Sequence, residues 1–325
     1  GIKLLGGHYP LTVAATARAI KTAAGMGAYT AFHAGTAEHG SNIEGMLEAV
    51  ELADGNPLHL AHINAYCRGT VRPETEETEL ALKALLDNPN ISCESYLSPL
   101  NGTSAEIIDG LPGSMVTRRC LKTGGFTEDE AGMEAALLTG WAQVNYPQGQ
   151  EMTLLTGEPA RDYWLEQKTL VSVSFAVNPV GPRVRLATAK KADGGFIVDA
   201  ISTDGGGIPR NVLLPAGLAL VDLGGLTLQE LVAKISYLPA QMLGLTNKGS
   251  LAAGWDADIT IVDRLRRSAF ATIIGGQVCY IDGKILGRGG RIITTAAGAD
   301  YVRSQGLEPL IVDLADSSVL RKARK

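Results

Sequence analysis

The sequence is poor in aromatic residues and cysteines, and it lacks any long apolar run. Aromatic residues make up 5% of the 325 residues, and no two of the four cysteines form a CxxC pair. Isolated cysteines are typical of a reducing compartment, so we expect a cytoplasmic location. No apolar run approaches the roughly 18 residues of a membrane-spanning helix, and the sequence does not open on a recognisable signal peptide. These absences argue against a disulfide-stabilised secreted domain and against an integral membrane protein.

Positive charge is also in short supply, with a net charge of −5 and a pI near 5.6. This balance argues against a role on nucleic acid or at an anionic membrane surface. The composition, with 45% hydrophobic residues and 39 glycines, favours a tightly turned α/β protein. At this length, one barrel with an appended portion is a better prediction than two ordinary domains.

The stretch 28–69 contains the most informative pattern in the chain. Two short apolar runs, 29–32 and 58–63, flank a segment whose apolar residues recur at helical spacing. This pattern predicts a βαβ unit and therefore a parallel sheet. His33 and His62 lie at or near the carboxyl ends of the two strands, where α/β folds bind their ligands.

The spacing of polar residues predicts successive strands of a (β/α)8 TIM-type barrel. Lys3 lies 30 residues before His33, His62 lies 29 residues after it, and the next β-like run, 91–97, begins 29 residues later. One βα unit of a barrel of roughly 250 residues has about this length. Lys3 within an apolar strand either has a function or extends its amine to water at an exposed chain end.

Each histidine taken alone is most simply a core residue with satisfied hydrogen bonds. Together, on adjacent strands, His33 and His62 favour a shared metal, and imidazole is a common zinc ligand. His8 falls in the loop after the first strand, on the same face of the barrel. His39 fits a surface role or a supporting role near the site equally well.

Between residues 101 and 195 the barrel spacing breaks, which predicts an insertion that forms a lid or a substrate wall. We expect a helix near 128–144 and a β-hairpin near 170–187. Before the insertion, we expect a helix over 73–86. Its first turn carries Glu74, Glu76 and Glu77, which we interpret as a solvated face. Arginines 118, 119 and 161 are surface residues or contacts for a substrate carboxylate.

A further strand, 196–202, is followed by Asp204 and three glycines, which suits a carboxylate exposed to a site. The alternative for Asp204 is a plain Asx turn before a helix. Thr227 and Glu230 form a capping box that opens a predicted helix over 228–237. From residue 247 the pattern changes to strands, including a hairpin near 273–281 with a turn at 282–283. We therefore predict a barrel portion over 1–246 and β-sandwich strands with a tail over 247–325.

These motifs together resemble the amidohydrolase superfamily, in the branch of D-aminoacylases (N-acyl-D-amino-acid deacylases) and hydantoinase- or dihydroorotase-like enzymes. The resemblance covers about residues 1–125 and 196–290. Its motifs are GIKL at 1–4, FHAGT at 32–36, AHIN at 61–64, STDG at 202–205 and the stretch 248–263, which is typical of the closing β-sandwich.

The resemblance implies a site that holds one or two zinc-like divalent ions. By position, His33 and His62 would be the ligands of barrel strands 5 and 6, and Asp204 would be the strand-8 ligand and the general base. Lys3 occupies the position of a carbamylated lysine that bridges two metals. His8 and Asn64 would contact substrate. The implied activity is hydrolysis of an amide or other C–N bond in a small molecule. The alternatives are a deaminase of the same superfamily and a non-catalytic subunit.

One departure from the family matters for the partner. Members begin with a strand-1 His-x-His pair and the first half of the β-sandwich, and no His-x-His occurs in these 325 residues. The chain therefore resembles only the C-terminal five or so barrel strands. We expect a complementing chain that supplies the rest, with cleavage of one precursor as one origin of the two chains, and we expect an oligomeric assembly.

Overall fold

The chain is an α/β structure built on a five-stranded parallel sheet, in a computed structural model that describes residues 1–149, 151–205, 208–287 and 290–322. The strands are β1 Ile2–Leu5, β2 Thr30–His33, β3 Leu58–Leu60, β4 Ile91–Tyr96, β5 Asn101–Ser104, β6 Ile107–Ile108, β7 Leu111–Pro112, β8 Ala142–Gln148, β9 Glu151–Leu155, β10 Ser172–Phe175, β11 Ala200–Ser202, β12 Ile259–Asp263, β13 Ser268–Ile274, β14 Gln277–Ile281, β15 Lys284–Ile285, β16 Ile292–Thr294 and β17 Pro309–Ile311. The helices are α1 Val13–Gly25, α2 Ile43–Ala53, α3 Glu74–Asp87, α4 Met115–Thr123, α5 Glu130–Leu138, α6 Glu158–Glu166, α7 Val180–Thr188, α8 Leu213–Asp222, α9 Leu228–Val232, α10 Leu238–Met242, α11 Ala299–Ser304 and α12 Ser318–Arg321.

The parallel sheet has the order β1-β2-β3-β4-β11, and each of its neighbouring pairs is parallel. The βαβ unit predicted for 28–69 is therefore confirmed, with α2 as its helix. Phe32 and Leu60 are buried on the helix side of the sheet together with Ile43 and Met46 of α2. Burying each such side chain stabilises the fold by about 1.5–3 kcal/mol. Because strand residues alternate between faces, His33 and Glu94 project to the opposite side.

The helix starts follow from local capping. Thr12 accepts a hydrogen bond from the Ala15 N–H at the start of α1, and Asn42 caps α2 in the same way. The predicted capping box of Thr227 and Glu230 is confirmed at α9. The predicted helix 228–237 differs after residue 232, because the turns over Ala233–Tyr237 are those of a π-helix. The strand predicted over 196–202 is shorter, since only Ala200–Ser202 pairs with β4.

The stretch 101–195 forms a second, antiparallel sheet in the order β5-β10-β8-β9, with its own core around Trp164. The helix predicted near 128–144 is wrong in its second half. The observed helix α5 ends at Leu138, before Gly140 with its φ of 77°, and residues 142–148 form the strand β8.

The hairpin predicted near 170–187 is also wrong. Its first part is β10, which pairs with β5 and β8 rather than with the residues that follow it. Its second part is the helix α7. The local pattern of apolar residues cannot reveal partners that lie about 30 and 70 residues earlier in the chain.

The C-terminal part contains an antiparallel sheet in the order β12-β13-β14-β15. The predicted turn at Asp282 and Gly283 joins β14 to β15, and an additional turn at Gly275 and Gly276 divides the predicted 273–281 run. The parallel pair of β16 and β17 was not predicted. Among the described residues, no helix has both the length and the apolar composition needed to cross a bilayer.

Candidate metal and substrate site

His33 and His62 converge at the carboxyl ends of β2 and β3. Their ring centroids are 4.4 Å apart, with an angle of 77° between the ring planes. His8, from the loop after β1, lies with its ring centroid 5.6 Å from that of His33. The parallel register explains this arrangement, because it aligns the ends of successive strands at one edge of the sheet.

Four of the six predicted site residues line one cavity of about 530 Å³. These are His8, His33, His62 and Asp204. His62 and Asp204 also have left-handed backbones, with φ of 40° and 47°. Such conformations cost a non-glycine residue about 1–2 kcal/mol, and they concentrate at functional sites. The size suits a small molecule.

Both imidazoles are held in their neutral form. Burial lowers the pKa of His33, and the neighbouring His62 adds to the shift. Burial also lowers the pKa of His62, against the opposing charge of Asp204. Neutral imidazole is the form that binds metal ions.

The chemical types of the donors at the cavity are those that a divalent ion prefers. The Nδ1 atom of His62 is buried and has no hydrogen-bond partner among the described residues. Nε2 of His33 lies 2.9 Å from Oγ of Ser41, a contact that orients the ring. The imidazoles of His33 and His62 and the carboxylate of Asp204 line one cavity, and they are the nitrogen and oxygen donors that zinc-like ions prefer. Among the described residues, the ligand atoms of these three side chains do not all lie within 4.8 Å of one another.

Lys3 and Asp204 are coupled through charge. Partial burial lowers the pKa of the Lys3 amine, and the carboxylates of Glu94 and Asp204 oppose that shift. Oδ2 of Asp204 also lies 3.1 Å from Nη1 of Arg210. The Lys3 amine is therefore within electrostatic range of the cavity, although Lys3 is not among its lining residues.

Asn64 has a different environment from the other predicted site residues. It is completely buried, and its Oδ1 accepts hydrogen bonds from the backbone N–H of Tyr96 and the hydroxyl of Ser95. It does not line the cavity. These contacts fix β4 against the turn after β3, and the substrate contact predicted for Asn64 stays a prediction.

His39 lies at the surface, and its Nδ1 is 3.1 Å from Oε1 of Glu48. Together with Glu38 these side chains place possible ligand atoms within 4.8 Å of one another. Two of the three residues are exposed, and none lines the cavity. The position is compatible with the surface role considered for His39.

The sequence did not lead us to Glu94, Arg68 or Arg210. The Glu94 carboxylate accepts a hydrogen bond from Ser202 and lies 3.7 Å from the ring of His59. Burial raises its pKa, but His59 and His62 outweigh that effect and hold the pKa below its ordinary value. A charged residue within the apolar run 91–97 is the same signal that singled out Lys3.

Residues 165–286 match the sequence model of the amidohydrolase family. The resemblance to amidohydrolases is thereby confirmed for the C-terminal part of the chain. A dihydroorotase from Pelobacter propionicus is 35% identical in an alignment 91 residues long, and the match covers 21% of this chain and 21% of that protein.

Solved structures extend the likeness to most of the fold. One is the formyltransferase/hydrolase complex FhcABCD from Methylorubrum extorquens, at a TM-score of 0.57 and 15% identity, covering 97% of this chain and 64% of the other. Another is D-aminoacylase, at a TM-score of 0.54 and 14% identity, covering 89% and 61%. At these identities the likeness shows a shared fold. The chain spans less than two thirds of these structures and about a fifth of the dihydroorotase.

Proposed function

We propose that this chain forms the catalytic part of a metal-dependent hydrolase that cleaves an amide or other C–N bond in a small molecule. The observation that carries the proposal is the convergence of His33, His62 and Asp204 on one cavity. The family match and the likeness to dihydroorotase and D-aminoacylase support this class of reaction.

His33, His62 and Asp204 would hold a divalent ion, zinc in our proposal, and Lys3 as a carbamate would supply an anionic oxygen ligand for a second ion. D-aminoacylase, a structural neighbour, is described as having a binuclear metal centre. Such an ion would polarise the substrate carbonyl and lower the pKa of water in the site.

The remaining chemistry falls to the protein's own side chains. Asp204 takes the proton of the attacking water as general base and returns it to the leaving nitrogen. His8, whose ring lies next to that of His33, would contact the substrate. Ser41 fixes the orientation of the His33 imidazole through its 2.9 Å contact.

The fold proposal is that residues 1–246 form part of a (β/α)8 barrel with an insertion over 101–195, and that 247–325 belong to a β-sandwich. Ile2 and Leu5 of the edge strand β1 are more than a third exposed, and so is Ile285 of β15, at the edge of the C-terminal sheet. Apolar residues exposed at a strand edge favour a covering polypeptide. We propose that a second chain, or the rest of a longer one, provides it. A cytoplasmic location also stays a prediction.

An assay of the zinc-loaded native assembly against N-acyl-D-amino acids and cyclic ureides tests the function. Asp204→Asn should reduce turnover about 10²- to 10⁴-fold, because the general base is lost while the side-chain shape is kept. Asp222→Asn is the matched control, since Asp222 forms ion pairs with Arg264 and Arg267 at the surface and does not line the cavity. Its turnover should match the wild type.

Three results would change the proposal. Full turnover in Asp204→Asn would reject the role of that residue. Ammonia as the sole nitrogen product would indicate the deaminase alternative. A native assembly that binds no metal and turns over no substrate would favour the non-catalytic subunit.

A further inference from the structure

Glu94 belongs to a row of polar side chains that crosses the parallel sheet on the face opposite α2. The row runs from Tyr29, the residue before β2, through His59 of β3 and Glu94 of β4 to Ser202 of β11. The Tyr29 hydroxyl lies 2.9 Å from Nδ1 of His59, whose Nε2 lies 3.7 Å from Oε1 of Glu94. At the other end of the row, the Ser202 hydroxyl donates to Oε2 of Glu94 at 3.0 Å. Four neighbouring strands are therefore linked through their side chains as well as their backbones.

The Glu94 carboxylate connects the strands on either side of β4. Its Oε1 faces His59 of β3, and its Oε2 accepts the hydroxyl of Ser202 from β11. Burial raises the pKa of this carboxyl, but His59, the ring of His62 and the backbone N–H of His62 together lower it. The side chain is only 14% exposed, so few other positions are open to it. Glu94 thus ties the carboxyl ends of β3 and β11 to the strand between them.

These two strand ends carry two of the proposed metal ligands. His62 follows the last residue of β3 by two positions, and Asp204 follows Ser202 by two. Their left-handed backbones, with φ of 40° and 47°, are conformations that a non-glycine residue keeps only where the surrounding contacts impose them. The carboxylate of Glu94 faces the backbone N–H of His62 and holds the strand that leads to Asp204. It is therefore placed to set both backbones at once.

We propose that Glu94 is a positioning residue, which fixes the His62 imidazole relative to the Asp204 carboxylate for metal binding. This inference rests on the proposed function. Groups behind metal ligands set the orientation of those ligands, and loss of such a group weakens metal binding or activity by about 10- to 100-fold. Glu94 is not one of the described residues that line the cavity. It would act through Ser202 and the backbone of His62, without contact with the substrate.

The test measures zinc binding by the native assembly in competition with a chelator, together with kcat and KM in excess zinc. Glu94→Gln keeps the shape of the side chain but removes its charge and one of its acceptors. It should raise the Kd for zinc about 10- to 100-fold and lower kcat by a similar factor. KM should stay within about 3-fold, because the substrate does not contact Glu94. The visible absorption of the Co²⁺-loaded assembly should also change, since it depends on ligand geometry.

Ser202→Ala breaks the same contact from the other strand. It removes only a hydroxyl, so it tests the inference even if Glu94→Gln does not assemble. The Kd for zinc should rise about 10-fold, and Ser202→Thr, which keeps the hydroxyl, should stay within about 3-fold of the wild type. The double variant should lose little more than Glu94→Gln alone, because both changes remove one interaction.

Asp199→Asn is the matched control, because Asp199 also connects β4 to the start of β11. Its Oδ2 accepts a hydrogen bond from the backbone N–H of Cys93 at 3.0 Å, and it pairs with Lys322. It lies before the first residue of β11, at the end of the strand away from Asp204. Asp199→Asn should lower the urea midpoint and leave the Kd for zinc within about 3-fold.

Zinc affinity separates this inference from the proposed function. Wild-type affinity in both Glu94→Gln and Ser202→Ala would overturn the inference, and so would an equal loss in Asp199→Asn. Affinity that depends on Glu94 in an assembly without turnover would support the positioning role and count against hydrolysis. Hydrolysis with unchanged zinc affinity and unchanged kcat in both variants would support the proposed function and reject the positioning role.

Discussion

Glu77 illustrates how one residue supports the site from outside it. It has no exposed surface, and its carboxylate accepts hydrogen bonds from the backbone N–H groups of Gly69, Val71 and Arg72. These bonds fix the loop that follows Arg68. The interpretation of Glu77 as part of a solvated helix face is therefore wrong, because the loop folds back over the start of α3.

Glu77→Gln should reduce the free energy of unfolding by about 1–3 kcal/mol. The amide cannot accept hydrogen bonds on both of its ends, so at least one buried N–H loses its partner. Urea denaturation measures the change, and Glu79→Gln on the same helix is the control. The Glu79 side chain is 60% exposed, so Glu79→Gln should lower the free energy of unfolding by no more than about 0.5 kcal/mol. Equal midpoints for the two variants would contradict this role of Glu77.

Residue chemistry within the cavity was predictable to different degrees. His33, His62 and Asp204 stood at the ends of β-like runs, where the alignment of parallel strands brings side chains together. Arg68 and Arg210 lie in loops with no periodic pattern. Arginine is common at surfaces, so only the neutral hydrogen-bond partners of Arg68 and the burial of Arg210 distinguish these two cavity residues.

At the scale of elements, the π-helical segment Ala233–Tyr237 buries a lysine. The Nζ atom of Lys234 donates to the carbonyl of Val198 at 2.6 Å and lies 4.0 Å from the ring centroid of Phe196. Burial lowers the pKa of Lys234 to about 8. π-Helical turns are rare and frequently occur at functional sites. Here the turn places the amine against the start of β11.

This burial makes the stability of the fold depend on pH above 8. Between the folded pKa near 8 and the unfolded value of 10.5, the unfolded chain binds the proton of Lys234 and the folded chain does not. The free energy of unfolding should therefore rise with pH in that range, by at most roughly 3 kcal/mol. This increase in the free energy of unfolding is complete above pH 10.5 and is lost as the pH falls through 8.

Denaturation of wild type and Lys234→Met from pH 7 to 10.5 measures this dependence, and Lys83→Met is the control for an exposed lysine. The difference between wild type and Lys234→Met should change with pH, while the difference between wild type and Lys83→Met should not. Parallel curves for wild type and Lys234→Met would contradict the shifted pKa.

At the scale of the whole molecule, the parallel sheet ends at β1 and β11. A closed (β/α)8 barrel has eight strands, and the sheet described here has five. Joining β11 to β1 through additional strands would enclose the side that carries Glu94, His59 and Lys3. Enclosure would strengthen the electrostatic interactions among these groups.

Mixing this chain with a polypeptide that carries the remaining barrel strands and a His-x-His pair should give a one-to-one complex with higher zinc content than either part. Light scattering and metal analysis measure both quantities. Leu5→Lys at the β1 edge should weaken assembly, whereas Leu265→Lys, at a residue that is 99% exposed, should not. Active enzyme that runs as a single band of this chain's size on a denaturing gel would contradict the need for a second chain.

The sequence alone determined the parallel βαβ unit, the alignment of His33 with His62, and the resemblance to amidohydrolases. These features depend on local periodicity and on the spacing of polar residues along one chain, which a linear sequence retains. The sheet partners of β10, the burial of Glu77 and the neutral partners of Arg68 were decided by tertiary structure. Each depends on contacts between distant segments, and packing overrides local propensity wherever such segments meet.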